Sequence, residues 1–220
     1  MRGLVIDTAL GALSVAAFDG ETTLAGRREL MSKGHQERLG GLVRAVVAES
    51  GGFDALERIA VTVGPGSFTG LRVGLAFALG LGAALQRPVV GVTTLEALAA
   101  SIDAAGPMLA AVDARRGEVY AQAFQDGCPL EHPAALRLDD LPEPSRMFAP
   151  CRLVGSGAPL LADAFPGAEA LDLPAPTLDG LVGEAIAAAR PARPLYLRAP
   201  DAAVPTRRPG QTRPGREGGP

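Results

Sequence analysis

Tryptophan is absent from the 220-residue sequence, and only seven Phe and two Tyr are present. Binding nucleic acid unaided calls for stacking rings and a basic field. Here 21 basic residues face 24 acidic ones for a net charge of −3, which argues against that class. Lys33 is the only lysine, so mechanisms that need a phosphate-binding or Schiff-base lysine elsewhere are excluded. Cys128 and Cys151 supply neither a disulfide framework nor a thiol cluster for zinc. Histidine is reduced to His35 and His132, with no His-Glu-x-x-His and no Asp/Glu cluster at ligand spacing, so no metal site is expected. Nothing selects either histidine for a Ser-His-Asp triad. The longest uncharged apolar stretch, Val73 to Leu85, is broken by Gly74, Gly80 and Gly82 and falls short of the roughly 20 residues of a membrane span. Asp7 interrupts the first apolar run, which argues against a signal peptide. A soluble, cytoplasmic chain without membrane partners is expected.

What is present is a globular composition, 47% apolar and 20% charged. Leu4-Val5-Ile6 reads as a strand ending at Asp7, Leu13–Phe18 as a second before the Asp19-Gly20 turn, and Thr22–Leu30 as a third. Leu39, Leu42, Val43, Val46 and Val47 then recur at helical spacing up to Gly51-Gly52. Arg58–Val63 returns to strand, Ser67 or Thr69 caps a helix running to about Leu85, Pro88–Val92 is a strand, and Thr94–Ile102 a third helix. Alternating strands and helices define an α/β protein. Ala110-Ala111-Val112-Asp113 repeats Leu4-Val5-Ile6-Asp7, and without a gap Gly117, Val119, Ala123 and Phe124 match Gly11, Leu13, Ala17 and Phe18. A duplicated strand–hairpin start predicts two related lobes, residues 1–105 and 106–198. Residues 126–150 are Pro-rich and read as loop, Arg152–Val154 as strand, and Leu178 to Ile186 as a last helix. The Pro/Gly/Arg stretch 199–220 reads as a disordered tail.

Three features could carry chemistry. The loop Gly64-Pro65-Gly66-Ser67 either presents backbone N–H groups to an anion or simply turns the chain and caps a helix. It lacks the lysine of a Walker loop and the glycine frame of a nucleophile elbow. Asp7, followed by Thr8, and Asp113 end equivalent strands, where carboxylates can hold Mg²⁺ or accept turn hydrogen bonds. In the second helix Gly70, Gly74, Ala78 and Gly82 form a stripe of small side chains beside Leu71, Leu75 and Leu79. Each interior glycine costs roughly 1 kcal/mol against alanine, so a close backbone approach is expected there, from this chain or from another.

Five segments together resemble a known family: Leu4-Val5-Ile6-Asp7-Thr8-Ala9, Gly34-His35-Gln36-Glu37-Arg38-Leu39, Val63 through Gly74, Val89 through Leu98, and Val112 through Tyr120, with Leu195-Tyr196-Leu197-Arg198 as a sixth. The family is TsaB, also called YeaZ, the dimerisation subunit of the bacterial tRNA threonylcarbamoyladenosine machinery. The resemblance implies two ribonuclease-H-like lobes of the actin/Hsp70/sugar-kinase superfamily. It implies TsaD, a catalytic paralogue whose helical histidine pair binds a metal, as partner in a heterodimer. It also implies the ATPase TsaE, tRNA reached indirectly through the complex, a possible homodimer when alone, and no cofactor of its own beyond ATP or ADP at the complex boundary. Thr94 and Leu98 stand where TsaD's histidines would be, and leucine cannot ligate a metal, so a non-catalytic subunit is expected. The resemblance further implies an interface on the first two helices. Its expected members are Leu39, Leu42, Val43, Leu71, Gly74, Leu75 and Ala78, with His35, Arg38 and Arg72 at the rim. An anion or nucleotide contact is expected at Asp7, Thr8, Gly64, Gly66 and Ser67. Two other classes stay in view. A nucleotide-dependent small-molecule kinase would use Asp7 and Asp113. A junction nuclease would need clustered carboxylates and a basic groove, which this sequence lacks.

Overall fold

A computed structural model describes residues 1–102, 105–141 and 149–198. The expected disordered tail, 199–220, lies outside the described residues. Among the described residues twelve strands occur in chain order: β1 (Arg2–Asp7), β2 (Ala12–Asp19), β3 (Thr22–Leu30), β4 (Arg58–Gly64), β5 (Val89–Thr93), β6 (Pro107–Arg115), β7 (Glu118–Gln125), β8 (Cys128–Pro129), β9 (Ala134–Arg137), β10 (Arg152–Val154), β11 (Glu169–Leu171) and β12 (Arg190–Pro191). The α-helices are α1 (His35–Glu49), α2 (Phe68–Leu85), α3 (Thr94–Ala99), α4 (Ala158–Leu161) and α5 (Leu178–Ala187).

The first sheet runs β12-β5-β4-β1-β2-β3 and the second β11-β10-β6-β7-β8, with β9 pairing β7. In each, an antiparallel meander (β1-β2-β3; β6-β7-β8) flanks the first strand on one side, and two parallel strands (β4-β5; β10-β11) lie on the other. This is one ribonuclease-H-like topology used twice, once in each lobe. The duplication extends to a detail that hydrophobic matching missed. Val63-Gly64-Pro65-Gly66 leaves β4, and Val154-Gly155-Ser156-Gly157 leaves β10 in the same way, with Gly64 at φ +112° and Gly155 at φ +109°. Both first glycines occupy backbone space that disfavours a side chain. The ungapped match across the hairpins is inexact, however. Leu4 pairs with Ala17, but Ala110 pairs with Gln122 rather than Ala123, because a bulge between Asp113 and Arg115 shifts the register.

Each face of the first sheet is covered. Leu4, Ile6, Leu13, Val15, Ile59 and Val61 pack under α1 and α2. Val5, Ala16, Phe18, Ala60 and Val92 pack under Leu181, Val182 and Ala185 of α5. Strand neighbours alternate faces, so a strand buried on both sides reads as a continuous apolar run, as Leu4-Val5-Ile6 does. Three expectations are corrected here. Residues 178–191 belong to the layers of the first lobe, because α5 covers its sheet and β12 pairs antiparallel with β5. Their sequence position alone had grouped them with the second. Within 126–150, short strands β8 and β9 pair with β7 where loop was expected. The third helix stops at Ala99 instead of Ile102.

The two lobes exchange helices. α3 follows β5 yet packs Leu95, Leu98 and Ala99 against Met108, Ala110 and Phe124 of the second sheet. α5 follows β11 and packs on the first. Where they cross, a Cβ on Gly180 would lie 2.5 Å from Ser101 Oγ and 2.6 Å from the Ala97 carbonyl oxygen. The Thr177 N–H donates to Ser101 Oγ at 2.8 Å, and that hydroxyl donates to Ala97 at 2.6 Å.

Candidate functional site

Asp7 ends β1 with its carboxylate fully buried. Oδ1 accepts from the Ala9 N–H at 2.9 Å and from the Thr62 hydroxyl at 2.7 Å, while Oδ2 has no partner. Burial pushes the carboxyl above its usual range; the two donors, and the nearby charges of His35 and Arg28, oppose this without cancelling it. Asp113 does the same job in the second lobe, its Oδ1 accepting from the Arg115 N–H at 2.7 Å. Of the two sequence readings, turn acceptor describes both residues. Among the described residues no group of three or more His, Cys, Asp or Glu side chains is placed to hold a metal.

The Gly64–Ser67 loop folds onto the chain just after Asp7. The Ser67 N–H donates to the Ala9 carbonyl at 2.8 Å, and a Cβ on Gly66 would come within 2.5 Å of that oxygen. Ser67, not Thr69, caps α2, its hydroxyl accepting from the Gly70 N–H at 3.2 Å. Thr8 donates to the Gly70 carbonyl at 2.8 Å. Asp7, Thr8, Gly66 and Ser67 thus lie around one turn, but their hydrogen bonds run to other neighbours: Asp7 accepts from Ala9 and Thr62, Thr8 donates to Gly70, and the Ser67 N–H is taken by the Ala9 carbonyl.

The interface residues expected on α1 and α2 are placed differently. Leu39, Leu42, Val43, Leu71, Gly74, Leu75 and Ala78 are all buried in this chain's own core. The small-residue stripe faces the first sheet, and the backbone that approaches it is this chain's own. A Cβ on Gly70 would overlap the Thr8 carbonyl oxygen, one on Gly74 the Thr8 hydroxyl, and one on Gly82 the Val89 side chain. Helical periodicity reports that one face of α2 is special but not which neighbour it meets. His35, expected as a cap or rim residue, is the first residue of α1 and half-buried, and the cap is Gly34 at φ +88°. Arg38 and Arg72 are exposed, Arg38 pairing with Glu29.

The face that α1 and α2 turn outward is built from other residues: Gly41, Arg44, Ala45 and Ala48 on α1, and Ala76, Leu79, Gly80, Ala83 and Ala84 on α2. Arg72 is the only charged residue of α2. By length and composition this 18-residue helix would suffice to cross a membrane, but here its inner stripe lies on β4 and the strands beside it.

Comparison with known proteins decides the family. Residues 28–131 match the family described as TsaD, tRNA N6-adenosine threonylcarbamoyltransferase. YeaZ from Pseudomonas aeruginosa superposes with a TM-score of 0.76 at 30% identity, covering 89% of this chain and 99% of that one. The chain belongs to the TsaB (YeaZ) family. The tRNA threonylcarbamoyladenosine biosynthesis protein TsaB of Escherichia coli is 40% identical over 129 residues, 57% of this chain. An uncharacterised Mycobacterium leprae protein is 37% identical over 207 residues, 90% of this chain. The matches span about half the length, 55%, of each of these two relatives.

In this TsaB family member Thr94 and Leu98, the positions that the resemblance aligns with TsaD's histidines, are completely buried on α3 between the lobes. Sequence reasoning overlooked the cleft beside them. A cavity of about 570 Å³ is lined by Thr93, Glu96 and Arg190 on one side and by Gln122, Leu130 and His132 on the other. Arg190 donates to Glu96 at 2.7 Å within that lining. The pair also borders a second cavity of about 290 Å³ that holds Glu184. Burial first, and Glu96 second, raise the Glu184 carboxyl above its usual range, while Arg190 pulls it down. Glu96 and Arg190 lie far apart in sequence, so no local motif announces them.

Proposed function

We propose that this chain is a non-catalytic subunit that docks on a TsaD-type threonylcarbamoyltransferase and is required for threonylcarbamoylation of the adenosine just after the tRNA anticodon. Membership of the TsaB family supports the pathway, and the E. coli relative carries that role in its name. The observation that carries the docking reading is the outward face of α2. An 18-residue helix with one charged side chain turns Ala76, Leu79, Gly80 and Ala83 to the outside, beside Gly41, Ala45 and Ala48 of α1. Small residues on adjoining helices let a partner's helices approach closely, and an outward face whose named residues are small or apolar except Arg44 suits an interaction site. The same face can serve a homodimer when the partner is absent. The non-catalytic reading is supported by Leu98, which offers no lone pair to a metal where the catalytic paralogue has a ligand. The ATPase TsaE, and ATP or ADP at the complex boundary, belong to this proposal, with tRNA reached through the complex and the assembly cytoplasmic.

The test is sedimentation velocity with a TsaD-type partner. Leu79→Glu and Ala83→Glu are expected to keep the wild-type circular dichroism and weaken association at least tenfold. Undiminished association would remove the α2 face from the interface. A tRNA modification assay with and without the chain then separates a required subunit from a bystander.

A further inference from the structure

Among the described Phe and Tyr side chains only two are exposed, Phe68 at 53% and Tyr196 at 44%, and they lie against each other. Their centroids are 5.6 Å apart at a 35° tilt. Arg72, one turn along α2 from Phe68, stacks its guanidinium 3.7 Å above the Phe68 ring and points Nε toward the Tyr196 hydroxyl at 3.4 Å. That guanidinium has no carboxylate partner among the described residues, whereas Arg38 of α1 is paired.

Tyr196 reaches this place on a strap that is fixed at both ends. The Leu195 N–H donates to the Val63 carbonyl at 2.7 Å, and the Leu195 carbonyl fills the space beside Gly64 that a Cβ would need. Two residues beyond Tyr196, Arg198 binds Glu118 through Nε at 2.9 Å and the Ala114 carbonyl at 3.2 Å on the second lobe. The exposed ring is therefore held in place before anything binds, which lowers the ordering cost of an interface. Interface energy concentrates on aromatic and Arg anchors of this kind. The cluster is also continuous with the outward face of α2, since Phe68 and Arg72 lie on the turns before Ala76 and Leu79.

We propose that Phe68, Arg72 and Tyr196 form the anchor of the partner surface, so that the C-terminal strap belongs to the interface together with the two helices. The occupant is a partner protein that lays an apolar side chain on the two rings and sets an Asp or Glu carboxylate opposite Arg72. This rests on the docking role proposed above.

The experiment titrates the full chain with the TsaD-type partner by calorimetry. In parallel, filter binding measures retention of tRNA by the chain alone. Phe68→Ala and Tyr196→Ala are each expected to weaken partner binding about tenfold or more. Arg72→Gln is expected to weaken it about fivefold, and Tyr196→Phe to stay within about twofold because the ring is kept. The Phe68→Ala/Tyr196→Ala double variant is expected to lose less than the product of the singles, since the rings support each other. If Tyr196→Ala binds as wild type while Leu79→Glu abolishes binding, the docking role stands and the anchor is overturned. If the unmodified chain does not bind the partner, both fall. If Tyr196→Ala lowers tRNA retention and leaves partner binding intact, the rings are a base-stacking platform and the anchor is again overturned.

Discussion

Thr8 donates its hydroxyl hydrogen to the Gly70 carbonyl at 2.8 Å, and a Cβ on Gly74 would overlap that same hydroxyl oxygen. One threonine after β1 thus fixes how closely α2 approaches the sheet, and the glycines of its inner stripe are the residues that permit it. The stripe secures the layer packing of the first lobe.

Two glycines of α2 should therefore respond in opposite directions. Gly74→Ala is expected to destabilise the chain by about 1–3 kcal/mol, because the added methyl meets a bonded hydroxyl that cannot move away. Gly80 faces outward with nothing within 4 Å of an added Cβ. Gly80→Ala should stabilise by roughly 0.5–1 kcal/mol through helix propensity alone. Urea denaturation of both variants measures the difference.

Asp7 should make stability depend on pH in a direction opposite to the usual buried ion pair. Its carboxyl is raised above the unfolded value of 3.8, so the folded chain holds its proton more tightly than the unfolded one. The stability it contributes is full below the unfolded value and is lost as pH rises through the folded one. Asp7→Asn removes that loss and keeps the acceptor for Ala9 and Thr62. The variant's melting temperature relative to wild type is expected to increase as pH is raised from about 4 to 7, as calorimetric scans would record. A flat difference across that range would show that the carboxylate is not desolvated as described.

The crossing of α3 and α5 should tolerate no side chain at Gly180. Gly180→Ala is expected to cost about 1–3 kcal/mol. Adding Ser101→Ala should fail to restore it, since the Ala97 carbonyl oxygen remains 2.6 Å from the new methyl and the Thr177 N–H loses its acceptor. Chemical denaturation of the single and double variants checks both statements.

Arg58 closes the C-terminal end of α5 from the neighbouring sheet, donating to the carbonyls of Ile186, at 3.2 Å, and Ala188. A cation there satisfies groups that the helix leaves open and complements its dipole. Arg58→Ala is expected to lower stability by about 1.5–3 kcal/mol, with faster amide hydrogen exchange confined to the last turn of α5.

Much of the first lobe could be read from local pattern. The run Leu4-Val5-Ile6, the spacing of Leu39 to Val47 and the Ser67 cap each depend on near neighbours, and each forms within a few residues of where it was expected. The last helix was equally legible, but its place was not. Leu181, Val182 and Ala185 say that α5 has an apolar face; nothing local says that the face crosses to the other lobe's sheet. The short strands β8 and β9 were missed because a two- or four-residue pairing carries no periodicity. The repeat is visible in apolar matches, while its sharper signature, Val-Gly-x-Gly after β4 and after β10, stands out only once the two sheets are aligned strand by strand.

The sequence by itself determined the α/β class, the duplication, the family resemblance and the absence of a histidine pair on α3, because these depend on residue identity and short spacing. Only the tertiary structure decided which way the α2 stripe points, that the glycine loop closes on the Ala9 carbonyl just after Asp7, and that Phe68 and Tyr196 share one exposed surface. Those are relations between segments far apart in the chain. They are fixed by which hydrophobic faces must be buried together, and that choice is made by the whole fold at once.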